Sequence, residues 1–125
     1  MKNILCSSLI LILILTLLCS CAPEDNQEPY RPEREKIVKV EGRQQANLVT
    51  LSESQRDSFF DLIESLELKP TKNKIELFGW SYFFDLYDED GTKTRITVLD
   101  RYITVGGYIC DSNAYEIESF EVFFK

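Results

Sequence analysis

Ile75-Glu76-Leu77-Phe78-Gly79-Trp80-Ser81-Tyr82-Phe83-Phe84-Asp85-Leu86-Tyr87 is the stretch on which the fold turns. Phe78, Trp80, Tyr82, Phe84 and Leu86 recur every second residue, which puts all five on one side of an extended strand and demands that this side be covered. A helical reading would scatter the same side chains around a cylinder, and Gly79 and the aromatic content weaken it further. Leu77, Phe83 and Tyr87 fall on the opposite side with Gly79, Ser81 and Asp85. That second face is either partly covered or an aromatic recognition surface, so Trp80, Tyr82 and Tyr87 stand as candidate contact residues.

Downstream, Asp88-Glu89-Asp90-Gly91 is polar and turn-prone, with Gly91 free to take a positive φ. A calcium loop fails on register. With Asp88, Asp90 and Gly91 at loop positions 3, 5 and 6, positions 1 and 12 would be Leu86 and Thr97, so both required carboxylates are missing. Asp88 and Asp90 are therefore read as turn residues with a possible docking role and no metal. Thr92 to Leu99 and Tyr102 to Val105 continue as strands; Gly106-Gly107 reverses the chain and Tyr108 to Cys110 returns. With Ile75 to Tyr87 these segments predict a four-stranded antiparallel meander. Gly106-Gly107 lacks the longer glycine pattern and the strand-to-helix setting of a phosphate cradle. Near the C-terminus, Asn113 and Glu116 have capping-box spacing, and Tyr115, Ile117, Phe120, Phe123 and Phe124 make a helical stripe; a last strand through the Glu118 to Phe124 alternation is the competing reading.

Upstream, Ser52 and Gln55 form another capping box, and Phe59, Leu62, Ile63 and Leu66 follow at helical spacing. Pro70 ends that helix and Lys72-Asn73-Lys74 reads as a polar connection. Ile37 to Val40 is long enough for a short first strand ending near Gly42; otherwise order begins at Leu48. The expected architecture for residues 37–125 is one α+β domain of two layers, a four-stranded antiparallel sheet packed with one or two helices.

The first residues carry a different message. Lys2 precedes an apolar run from Leu9 to Leu18 broken only by Thr16, and Leu18-Cys19-Ser20-Cys21 follows with small Ser20 directly before Cys21. The run is short for a permanent membrane span, which takes roughly 20 apolar residues. This leader resembles the processing site of bacterial lipoproteins. The resemblance implies removal of residues 1–20, lipidation of Cys21 and attachment of the exported chain to a bacterial membrane by acyl chains, more than one of which makes anchoring stable. Residues 21–36, polar and broken by Pro23, Pro29 and Pro32, then read as the lipidated cysteine and a flexible tether.

Charge and cysteine count narrow the function. The chain has 14 basic and 21 acidic side chains for a net charge of −7, and cleavage takes Lys2 and no acid. Nucleic acid is an unsuitable partner for such a surface. Cys6 and Cys19 leave with the leader and Cys21 is acylated, so Cys110 has no partner for an intramolecular disulfide and reads as a small buried hydrophobe. There is no histidine. This removes Ser-His-Asp and Cys-His nucleophile systems and histidine-ligated zinc. No catalytic set and no cofactor is indicated. The reading is a non-enzymatic envelope interaction module that contacts an envelope protein or polymer while the lipid holds it to the membrane. One version is sheet-edge pairing aided by Tyr82, Tyr87, Tyr102 and Tyr108 where these are exposed. A small-ligand module reported by Trp80, and an inhibitor that inserts the Asp88 to Gly91 turn into a basic cleft, are the alternatives.

Overall fold

A computed structural model describes residues 28–75 and 82–125. The chain runs β1 (Ile37–Gln44), β2 (Asn47–Thr50), α1 (Glu53–Ser65), β3 (Lys69–Lys74), β4 (Tyr82–Asp88), β5 (Lys93–Val98), β6 (Ile103–Val105), β7 (Tyr108–Asp111) and a C-terminal 3-10 helix (Ile117–Phe124). Among the described residues the strands form one sheet of seven in the order β2-β1-β4-β5-β6-β7-β3, and every neighbouring pair is antiparallel.

This corrects the four-stranded expectation. The meander is present as β4-β5-β6-β7, and three more strands flank it. β1 runs through Gly42 to Gln44 and pairs with β4 along most of its length. The chain then reverses through Gln45 at φ 56 to make β2. Lys72-Asn73-Lys74, read as a connection, belongs to β3, which pairs with β7. β2 and β3 escape notice because neither carries the apolar alternation of a half-buried strand: β2 is only four residues long, and β3 reads Lys-Pro-Thr-Lys-Asn-Lys. The Phe78 and Trp80 part of the aromatic alternation lies outside the described residues. Tyr82, Phe84 and Leu86 are buried as their alternation requires, while Phe83, Asp85 and Tyr87 are half-buried.

The registers define the two faces. Gly42, Phe84, Ile96 and Val105 lie in one row across the sheet, and Tyr82, Val98, Ile103 and Cys110 in the next. α1 and the C-terminal helix cover this face. Ser52 caps α1 through the Gln55 amide while the Gln55 side chain accepts from the Ser52 amide, as the sequence indicates. Phe59, Phe60 and Ile63 point inward from α1, and Phe120 and Phe123 from the C-terminal helix. Phe84 is the hub, with the rings of Phe59, Phe120, Phe123 and Phe124 at centroid distances of 4.5, 5.8, 6.0 and 5.7 Å. Gly42 opposite Phe84 makes room for Phe124: a Cβ there would lie 3.1 Å from Phe124 Cζ and 3.2 Å from Phe84 Cε1.

The C-terminal element is helical, yet it is a 3-10 helix that begins after Glu116 with no side-chain cap. Asn113 is used elsewhere. Its amide donates to the Leu66 carbonyl and its Nδ2 to the Ser65 carbonyl, 2.8 and 3.1 Å, satisfying acceptors that the end of α1 leaves free.

Residues 28–36, read by composition as part of the tether, lie against the domain. The Tyr30 amide donates to the Leu68 carbonyl at 2.6 Å and its ring packs on the core. Arg34 reaches Asp61 at 2.7 Å and Glu64 at 3.0 Å, with its guanidinium over the Phe60 ring. Among the described residues no helix is long and apolar enough to cross a membrane.

Candidate functional site: the two edges of the sheet

An antiparallel sheet ends in two strands whose outward amides and carbonyls are free to pair with another chain, and natural proteins blunt such edges with lysine, proline and bulges. The two edges here differ. β3 carries Lys69, Pro70, Lys72 and Lys74, with a register shift between Pro70 and Lys74. Those are the blocking devices, all on one six-residue strand. β2 reads Asn47-Leu48-Val49-Thr50 and has none of them.

Hydrogen-bond alternation fixes which groups β2 presents. The Leu51 amide donates to the Val40 carbonyl at 2.9 Å, and the register pairs Val49 with Gly42 and Asn47 with Gln44. Residues 47, 49 and 51 therefore spend their backbone groups on β1, and Leu48 and Thr50 turn theirs outward. Among the described residues no strand pairs with that outer side. Leu48 is 52% exposed. Val49, on the covered face, packs against the core at the edge, and its Cγ2 would lie 3.2 Å from a Cβ on Gly42. A strand arriving at β2 would thus meet two outward-facing residues, an exposed leucine on one side and an apolar step beside Val49 on the other.

The residues singled out by sequence are not brought together. Tyr82 is buried on the covered face, its hydroxyl accepting from Gln44 Nε2 at 3.2 Å, and burial followed by the charge of Glu121 raises its pKa. Tyr87 is on the opposite face, donating to Glu41 at 3.4 Å beneath the ammonium of Lys39. Tyr108 lies beside the Gly106-Gly107 reversal under Lys74. Tyr102 is half-buried, with its carbonyl accepting from the Leu99 amide. Trp80 and Cys21 lie outside the described residues. Asp88 is half-buried in the hairpin, and Asp90 accepts from the Thr92 amide at 3.0 Å, a bond that holds its carboxyl below the usual range. Gly91 takes φ 86, as a turn glycine should. The open face of the sheet is charge-paired: Arg95 grips Asp85 through two bonds of 2.8 and 2.9 Å and lies over Phe83.

A cavity of about 220 Å³ lies between the Tyr30–Glu33 segment and the Leu86, Asp88 and Thr94 side chains, and one of about 160 Å³ is lined by Glu67, Lys69 and Asp111 to Asn113. Neither contains Tyr82, Tyr87, Tyr102 or Tyr108. Among the described residues no group of three or more carboxylates, cysteines or histidines could hold a metal ion. Burial pushes the Cys110 thiol up to about 11, which suits a packed side chain and opposes thiolate chemistry.

The β2 edge is what sequence reasoning missed. Its signal was an absence, a short β-branched strand with no charge between Arg43 and Glu53. Comparison with protein-family models, curated proteins and solved structures finds no match for this chain.

Proposed function

We propose that this chain is a lipid-anchored cell-envelope protein that works without catalysis, as a docking module that takes an extended protein segment onto β2 by strand pairing. The observation that carries the reading is the contrast between the edges: β3 is blocked by three lysines, a proline and a register shift, and β2 has none of these devices and no pairing strand on its outer side among the described residues. Edge addition draws affinity from main-chain bonds and specificity from the alternating side chains beside them. The leader and Cys21 supply the membrane address.

Magnitudes shape the proposal. Two outward residues offer up to four main-chain bonds, each worth about 0.5–1.5 kcal/mol net. Association costs at least about 4 kcal/mol. The backbone alone therefore gives weak binding, and useful affinity needs Leu48 and Val49 to bury apolar side chains of the partner, or a shared membrane to raise the local concentration.

The test is site-specific photo-crosslinking of the full-length protein in the cells that make it, with the photoreactive residue at Leu48 or at Lys72. Adducts from Leu48 that are missing from Lys72 support docking at β2. No adduct from either position, or equal adducts from both, rejects it. Radiolabelled fatty acid incorporated by the natural chain and lost in Cys21→Ala checks the anchor separately.

A further inference from the structure

We infer that the strand taken up by β2 is the β2 of a second copy of this chain, joined antiparallel about a two-fold axis through Val49, so that one sheet continues through both molecules. The inference rests on the β2-docking reading and names its partner.

Geometry comes first. Leu48 and Thr50 are the residues whose backbone groups turn outward, and they stand symmetrically about Val49. Setting Val49 opposite its symmetry mate brings Leu48 of each copy against Thr50 of the other. Both outward amides and both outward carbonyls of each copy are then satisfied, with the two Val49 side chains meeting as a close non-hydrogen-bonded pair. A two-fold centred on Leu48 would instead push Thr50 against the turn residue Ala46 and lose regular pairing. The self-paired register that uses every free group is the one centred on Val49.

Charge comes second. Two copies of a chain with 21 acidic side chains and a net charge of −7 repel, and contact is cheapest where the acids are missing. Residues 42–52, Gly42-Arg43-Gln44-Gln45-Ala46-Asn47-Leu48-Val49-Thr50-Leu51-Ser52, contain no Asp or Glu. Among the described residues this is the longest run without one, and it contains the whole of β2. An acidic chain that joins itself would do so here.

The described part of the chain's own leading segment is not the occupant: it meets the domain at Tyr30 on Leu68, next to β3 and at the other end of the sheet order from β2. A foreign strand remains the rival, and the experiment separates the two.

Full-length lipidated protein carrying Val49→Cys is reconstituted in phosphatidylcholine vesicles with no other protein and mildly oxidised, beside Lys72→Cys. Non-hydrogen-bonded antiparallel pairs hold their Cα atoms at about 4.5 Å, inside the range a disulfide accepts. Val49→Cys should give roughly tenfold or more disulfide dimer than Lys72→Cys. Adding Thr50→Pro should abolish that dimer, because proline removes an outward amide while leaving the bonds to β1 in place; an unchanged far-UV circular dichroism spectrum certifies the fold. Equal yields at the two edges, or a dimer that survives Thr50→Pro, overturns the inference. A foreign adduct from Leu48 in cells without the Val49 disulfide removes the second copy and leaves docking at β2 standing. No adduct of any mass from Leu48 and no disulfide removes both.

Discussion

Phe59 on α1 and Phe84 on β4 stack with ring centroids 4.5 Å apart and 30° between their planes, and both are fully buried. This contact joins the helical layer to the centre of the sheet. Phe59→Ala should cost about 3–5 kcal/mol, the range for truncating a buried aromatic. Domains of this size have about 5–15 kcal/mol in total. Urea unfolding followed by circular dichroism should show the midpoint falling sharply, and a loss under about 1 kcal/mol would mean that the two layers are held together elsewhere.

Gly42→Ala tests the space made for Phe124. A methyl at 3.1 to 3.2 Å from Phe124, Phe84 and Val49 forces each to shift by a few tenths of an ångström, an overpacking that costs about 1–3 kcal/mol. Phe124→Leu in the same background should recover part of the loss. A double-mutant cycle measures the coupling, and strictly additive effects would show that the clash is absorbed away from Phe124.

Glu67 follows the last residues of α1 at φ 49, the left-handed position that helices usually assign to glycine. Glu67→Gly should stabilise the domain by about 0.5–1 kcal/mol, since the relief of left-handed strain exceeds the added flexibility of the unfolded chain. Asn113→Ala should act in the opposite sense by a similar amount, because it deletes the Nδ2 bond to the Ser65 carbonyl. Thermal melts of the two variants should move in opposite directions.

Stability should fall on the alkaline side. Burial raises Cys110 from 9.0 to about 11, and burial with the nearby charges of Asp88 and Asp100 raises Tyr30 and Tyr115 from 10.0 to about 12. In each case the folded chain keeps a proton that the unfolded chain gives up. The contribution is complete below the unfolded value and is lost as pH rises through the folded one. The unfolding free energy should therefore decline from about pH 9 upward, and Cys110→Ala should flatten the part between pH 9 and 11. An unchanged slope in that variant would take Cys110 out of the account.

What the sequence made legible was whatever repeated. Tyr82, Phe84 and Leu86 share a face because alternation is cheap to detect, and Ser52 with Gln55 marks a helix start by local chemistry alone. β2 and β3 were hidden because neither has a full apolar face: Leu48 is exposed on one side of β2, and β3 is lysine-rich with no large apolar residue. Asn113 misled through its spacing to Glu116, since its side chain serves a helix that ended nearly fifty residues earlier, and a one-dimensional pattern cannot show a partner that distant. The tyrosines were a poor guide to the candidate site, because three of the four are tied to Gln44, Glu41 and Lys74 within the domain.

The hydrogen bond from Tyr30 to Leu68 also limits how far the domain can roam. With the proposed anchor at Cys21, the nine residues from there to Tyr30 can span at most about 30 Å. A domain with a radius of gyration of about 13 Å has a diameter of roughly 34 Å, so even the fully extended leash is no longer than the body it holds. Such a molecule samples a thin shell against the lipid headgroups, in which only neighbours hugging the same surface come within range.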